Sequence, residues 1–245
     1  MLLAIDVGNT SVHFGLFADG GNTPLRQWRV STARISAQQN ISLRRSEKQK
    51  IRITVVASVV PRANKILKKI FPQAIFVDYR NIGIRVMLKK PAEVGADRLV
   101  NARAVKELYG GPAIIVDFGT ATTFDVINAK GDYLGGAIAP GILLARDTLH
   151  ERTAKLPSIE IKAPHSVIGK STVEAMQSGL VYGYAAMVEG MIKRLKTRDS
   201  RLGTPLVIAT GGLARLICKQ TTVVDRIDSE LTLKGLKFIG YERRT

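Results

Sequence analysis

The chain opens on an apolar run, Leu2 to Val7, that closes in Asp6-Val-Gly-Asn-Thr10, and a second run, Ser11 to Phe17, follows at once. Asp19-Gly-Gly-Asn22 then turns the chain into a third β-rich run, Leu25 to Val30. Short apolar runs bounded by Gly, Asn and Asp are strands joined by tight turns, so this pattern predicts a β-meander around a polar loop. Ser36 to Gln49 is polar and helix-permissive. After it the pattern predicts a strand over Ile53 to Val60, a helix over Pro61 to Phe71 with proline in its first turn, and a strand over Ile75 to Asp78. The unit reads β-β-β-α-β-α-β.

The pattern then begins again. Past Tyr109-Gly-Gly-Pro112 come a strand over Ala113 to Val116, the loop Asp117-Phe-Gly-Thr-Ala-Thr122, a strand over Thr123 to Ile127, and a turn and strand to Ile138. Ala4-Ile-Asp-Val-Gly-Asn-Thr10 aligns with Ile115-Val-Asp-Phe-Gly-Thr-Ala121, which sets Asp6 against Asp117, 111 positions apart. A repeat of that length is a duplicated domain rather than a solenoid unit. The expected halves are residues 1–111 and 112–245, facing each other across a cleft. Thr172 to Lys196 reads as a long helix, Pro205 to Ala209 as a strand running into Thr210-Gly-Gly212, Leu213 to Cys218 as a short helix and Leu231 to Ile239 as a last one.

Composition narrows the class. At 45% hydrophobic and 23% charged, 245 residues exclude disorder and collagen-like repeats and suffice for a core without disulfide or zinc. Cys218, the one cysteine, has no histidine at a metal-ligand spacing and reads as a small core hydrophobe. The N-terminus lacks a basic region before its apolar run, and the longest apolar stretch, Gly135 to Ala145, is interrupted by Gly136, Pro140 and Gly141, short of the ~18 residues of a span. A cytoplasmic protein away from membranes is expected. The net charge of +17 is spread along the chain without interleaved aromatics or a nucleic-acid module, which favours a solvated basic surface and attraction of phosphorylated ligands over nucleic-acid binding.

Chemistry concentrates in three places. In Asp6-Val-Gly-Asn-Thr10, loop N–H groups with Asn9 and Thr10 can cradle phosphate oxygens while Asp6 holds a hydrated Mg²⁺. Asp117-Phe-Gly-Thr-Ala-Thr-Thr123 is a second such loop, and two facing loops make a clamp for a nucleoside triphosphate. Glu93-Val-Gly-Ala-Asp-Arg98 opens a helix, with Asp97 in its first turn and Arg98 placed to meet an anion. Gly169-Lys-Ser-Thr172 imitates the end of a Walker A loop, but Pro164 stands where its first glycine belongs and no strand precedes it.

In this order, with Ser58-Val-Val-Pro61, Gly135-Gly-Ala-Ile-Ala-Pro-Gly141 and Thr210-Gly-Gly212, these motifs resemble those of the type III pantothenate kinases, the group that includes the Bvg accessory factor-like proteins. The resemblance implies an α/β actin-like ATPase fold of the acetate and sugar kinase superfamily, with two ribonuclease H-like domains. It further implies ATP-dependent phosphorylation of pantothenate, the first step of coenzyme A synthesis, with Mg²⁺ and a monovalent cation, K⁺ or NH₄⁺, in a homodimer. Carried over by position, Asp6, Val7, Gly8, Asn9, Thr10, Ser11, Val12 and His13 would bind the ATP phosphates, with Thr120 from the second loop. Asp117 would hold the monovalent cation. Gly95, Ala96, Asp97 and Arg98 would bind pantothenate, Asp97 accepting its proton, and Thr172 would be a further substrate contact. Leu88 and Lys90 stand where the family often has Tyr and Asn, so a pantothenate contact from that tyrosine has no counterpart here. Two alternatives stay open: a nucleotide-binding transcriptional regulator without activity, and a related kinase acting on another small molecule.

Overall fold

A computed structural model describes residues 1–35, 41–198 and 202–242. Its contacts divide the chain into two units, Met1–Gly110 with Gly131–Tyr133 and Glu230–Thr245, and Gly111–Lys130 with Leu134–Ser229.

The first unit is built on a five-stranded sheet of order β3-β2-β1-β4-β5. Its strands are β1 (Leu2–Val7), β2 (Ser11–Phe17), β3 (Arg26–Ser31), β4 (Ile53–Ser58) and β5 (Ile75–Phe76). β1 runs antiparallel to β2 and parallel to β4, with Asp6 opposite His13 and Ala57. Strand alternation sends Leu3, Ile5, Val7, Val12 and Phe14 into one core, closed by Ala63 and Leu67 of α2 (Pro61–Ile70). The opposite face, which carries Asp6 and His13, packs against the last helix, Leu231–Glu242. That helix also lies on α3 (Ala96–Tyr109). Its approach is close because Gly235 faces the Val100 carbonyl and Gly240 faces Leu2 and Val55, where a Cβ would collide. The last helix thus completes the first unit, since its apolar residues are buried on two sides at once. Arg103 of α3, buried, ties it down through Glu242 at 2.9 Å.

The second unit repeats the plan. Its sheet is ordered β10-β9-β6-β7-β8, which is the first order with each strand replaced by its later counterpart. The strands are β6 (Ala113–Phe118), β7 (Ala121–Ile127), β8 (Tyr133–Pro140), β9 (Leu206–Thr210) and β10 (Arg226–Ile227). Ile114, Val116, Phe118 and Phe124 face a core shared with α4 (Ile142–Glu151), α5 (Thr172–Arg198) and α6 (Ala214–Cys218). Cys218 packs against this core, and burial pushes its thiol up to about 11.

Three expectations change. The polar stretch Ser36 to Gln49 forms one turn of helix, α1 (Arg45–Lys48), and its positions 36–40 lie outside the described residues. The broken apolar run at 135–145 is the end of β8 followed by α4. The C-terminal helix, α7 (Leu231–Glu242), belongs by contact to the first unit.

Candidate active site

In the first unit the carboxyl ends of the parallel strands β1 and β4 gather the candidate residues, the usual place for a site in such a sheet. β1 is buried at every position but Asp6, which is half-buried. The loop after it is held shut. Gly8 N–H donates to the Ser11 carbonyl at 3.0 Å, the Thr32 hydroxyl to the Gly8 carbonyl at 2.7 Å, and Thr32 N–H to the Thr10 carbonyl at 3.1 Å. Asn9 and Thr10 stay exposed at its tip. Behind the tip lies a cavity of about 180 Å³, lined by Asn9, Thr32, Val60 and Arg62 among others.

Val7 and Val12 bury their side chains in the core, so they offer only backbone. His13 is 9% exposed: its Nε2 lies 3.1 Å from Gln27 Oε1 and its Nδ1 3.5 Å from the Arg29 guanidinium. Burial, with the Arg29 charge beside it, lowers its pKa to about 4, so the ring is neutral near pH 7.

β4 continues into the Ser58-Val-Val-Pro61 turn, where Val59 N–H donates to the Val7 carbonyl at 3.2 Å. Gly95 sits against Val59, since a Cβ there would lie 3.5 Å from it and 2.5 Å from Asp97 Oδ1. The turn therefore brings the start of α3 beside the β1–β2 loop. Asp97 Oδ1 accepts the Arg98 N–H at 2.9 Å, and burial raises the Asp97 pKa above the usual carboxylate range against the pull of Arg98. The Arg98 guanidinium lies over the ring of fully buried Tyr133, 5.9 Å from its centroid. Lys90, in the family's Asn position, pairs with Glu93 at 2.9 Å.

In the second unit Asp117 is again the half-buried position of a buried strand. It stands in register with Thr123 and Thr210. Gly211, at φ +93°, passes so close that a Cβ would lie 2.6 Å from Asp117 Oδ1 and from the Phe118 backbone. Gly141 N–H donates to the Thr120 carbonyl at 3.1 Å, and a Cβ on Gly141 would collide with that oxygen. A carboxylate, two hydroxyls and close carbonyls are the hard oxygen donors that suit K⁺ or Mg²⁺, so the residues present fit such an ion. Thr172 begins α5 and is exposed. The preceding Gly-Lys-Ser forms a helix cap: Glu174 N–H donates to Ser171 Oγ at 3.2 Å and its carboxylate accepts Lys170 N–H at 2.7 Å. Sequence reading missed Thr32, which carries no motif and is joined to its loop only through a distant turn.

The family model for type III pantothenate kinase matches residues 2–194. A type III pantothenate kinase of Moorella thermoacetica is 46% identical over the whole of both chains. This chain belongs to the type III pantothenate kinase family. A conserved Baf family protein of Campylobacter jejuni superposes with TM-score 0.67 at 18% identity, covering 99% of this chain and 98% of that one. The activator of the 2-hydroxyisocaproyl-CoA dehydratase of Clostridium difficile, solved with bound ADPNP, superposes with TM-score 0.56 at 13% identity over 99% and 94%. At these identities the likeness is one of fold, the actin-like ATPase and sugar-kinase type, built here on two units of matching strand order. Among the described residues no helix is long and apolar enough to cross a membrane.

Proposed function

We propose that this chain transfers the γ-phosphoryl group of ATP to the primary hydroxyl of pantothenate, the first step of coenzyme A synthesis, with Asp97 as proton acceptor. The observation that carries the assignment of Asp97 is its place: a half-buried carboxylate in the first turn of a fourteen-residue helix, fixed by the next N–H and followed by Arg98. Phosphoryl transfer runs through a loose transition state, so the protein contributes position and charge more than covalent chemistry. Asp97 orients the hydroxyl and takes its proton as the new P–O bond forms, and a raised pKa makes it a better acceptor at that moment. Gly95, Ala96, Arg98 and Thr172 bind the rest of pantothenate, Arg98 pairing with its carboxylate.

The stretch from Asp6 to His13 binds the triphosphate, with loop N–H groups and Thr10 on its oxygens, and Thr120 adds a contact of its own. Asp6 holds hydrated Mg²⁺ and Asp117, with Thr123 and Thr210, holds K⁺ or NH₄⁺. These cations supply charge that offsets the phosphates. The enzyme acts in the cytoplasm as a homodimer, to which Leu143 and Leu144 of α4, both exposed, offer apolar surface.

ADP release measured with and without pantothenate, and with and without K⁺, tests the reading. The expected result is consumption of ATP that requires both. Asp97→Asn should lower kcat by roughly 10²–10⁴-fold with little change in KM for ATP. It should also raise the melting temperature at pH 7. A half-buried Asp whose folded pKa is raised detracts from stability above that pKa, and Asn removes the penalty while still accepting the Arg98 N–H. Turnover near the wild-type rate would remove Asp97 from its role.

A further inference from the structure

Residues 44 to 69 carry nine Lys and Arg and one acid, Glu47, which is nearly half of the chain's net charge of +17. Glu47 is already engaged by Arg26 and Arg44. Within this stretch lies a cavity of about 390 Å³, walled by Lys48, Ile51, Arg52 and Thr54 on one side and by Phe71 and Pro72 on the other. That volume falls within the range of small-molecule sites, about 300–1,000 Å³. It opens at the start of β4, whereas the kinase residues cluster past its end, roughly 17 Å away at about 3.3 Å per residue.

Thr54 gives the cavity its meaning. It lies on the face of β4 that sends Val56 into the core, at the opposite end of that face from Ser58, and it is only 7% exposed. Its Oγ makes no hydrogen bond to any described residue. The hydroxyl is not sealed from solvent: it opens into the cavity as an uncommitted donor, where valine would fill the same space without one. Lys48 and Arg52, both exposed at the mouth, have no ion-pair partner among the described residues.

We propose that this cavity binds a phosphate monoester with an apolar body. A monoester carries about −1.5 to −2 charge at pH 7, which two cations match, and its oxygens accept from the Thr54 hydroxyl. The apolar body rests on Ile51, Phe71 and Pro72. Carboxylates and neutral apolar molecules satisfy only part of this lining.

Calorimetric titration of the full chain with 1-naphthyl phosphate tests the site, with 1-naphthol and inorganic phosphate as single-feature probes. The expected result is binding that weakens about tenfold in the double variant Lys48→Ala/Arg52→Ala and at least about threefold in Thr54→Val. The two single-feature probes should each bind at least about threefold more weakly than naphthyl phosphate. Pantothenate-dependent turnover stays at the wild-type level in both variants, since none of the three residues belongs to the kinase machinery, and this shows that they fold. An affinity that falls by less than these amounts in either variant overturns the proposal, because the anion then sits elsewhere, the kinase loops included. Equal binding by 1-naphthol or by inorganic phosphate overturns it as well.

Discussion

The hairpin of Asp6 and the hairpin of Asp117 are the same object with different neighbours. Each begins on a six-residue strand buried everywhere but at its fifth position, the carboxylate. Each is the central strand of a sheet with the same order. Around that constant frame the chemistry diverges. Opposite Asp6 stands His13, a neutral nitrogen ring backed by the Arg29 cation, and opposite Asp117 stands the hydroxyl of Thr123. The first loop is clamped from outside by Thr32, while the second is crowded by the backbones of Gly141 and Gly211. Duplication kept the acid's position, which the fold enforces, and left its surroundings free to specialise. A cation-backed loop suits phosphate oxygens, and an oxygen-rich one suits a metal ion.

The largest expected effect separates the acids by ion dependence. Asp6→Ala and Asp117→Ala should each cost roughly 10²–10³-fold in kcat. K⁺ stimulation should survive in the first variant and vanish in the second. K⁺ titrations of ADP release check this, and a K⁺ response unchanged in Asp117→Ala would break the distinction. Next come the glycines. Gly211→Ala places a Cβ against Asp117 and the Phe118 backbone at a positive φ, so chemical denaturation should register a loss of about 3 kcal/mol or more. Gly8→Ala, whose Cβ would lie 3.3 Å from the Ser11 carbonyl, should cost about 1 kcal/mol.

A smaller effect comes from pH. The folded pKa of His13 is lowered to about 4 from 6.5, so the unfolded chain takes up its proton first. His13 therefore contributes stability that is fully present above 6.5 and is lost as pH falls through 6.5 towards about 4. His13→Thr, which copies the second hairpin, should flatten that part of the curve of denaturation midpoint against pH. The smallest effect is a gain. Thr122, fully buried with its hydroxyl unbonded, occupies the register position that Val12 holds in the first hairpin. Thr122→Val should stabilise the chain by about 1 kcal/mol in the same assay.

Both hairpins were legible in the sequence because everything that defines them is local: β1 and β2 fall on the predicted residues, and the acid-Gly spacing marks both turns. What supports them was not. Thr32 stands outside every motif and reaches its loop with its hydroxyl and N–H, and the motif that ends in Gly141 does not say which loop that glycine meets. α4 escaped because Ile142, Leu143 and Leu144 are consecutive and only Ile142 is buried, so no helical face stands out. α7 reads faintly for the opposite reason, since contact with both the sheet and α3 leaves it little polar face.

That last helix has a consequence for how the molecule comes into being. A ribosome delivers residues 1–110 early, yet the wall that α7 lays on β1 and β2, with Leu233 against Gly15 and Gly240 against Leu2, emerges only after the entire second unit has been made. The first-written half of this protein is the last to be finished, and removing a few C-terminal turns strips cover from the strands that lead into its opening loop.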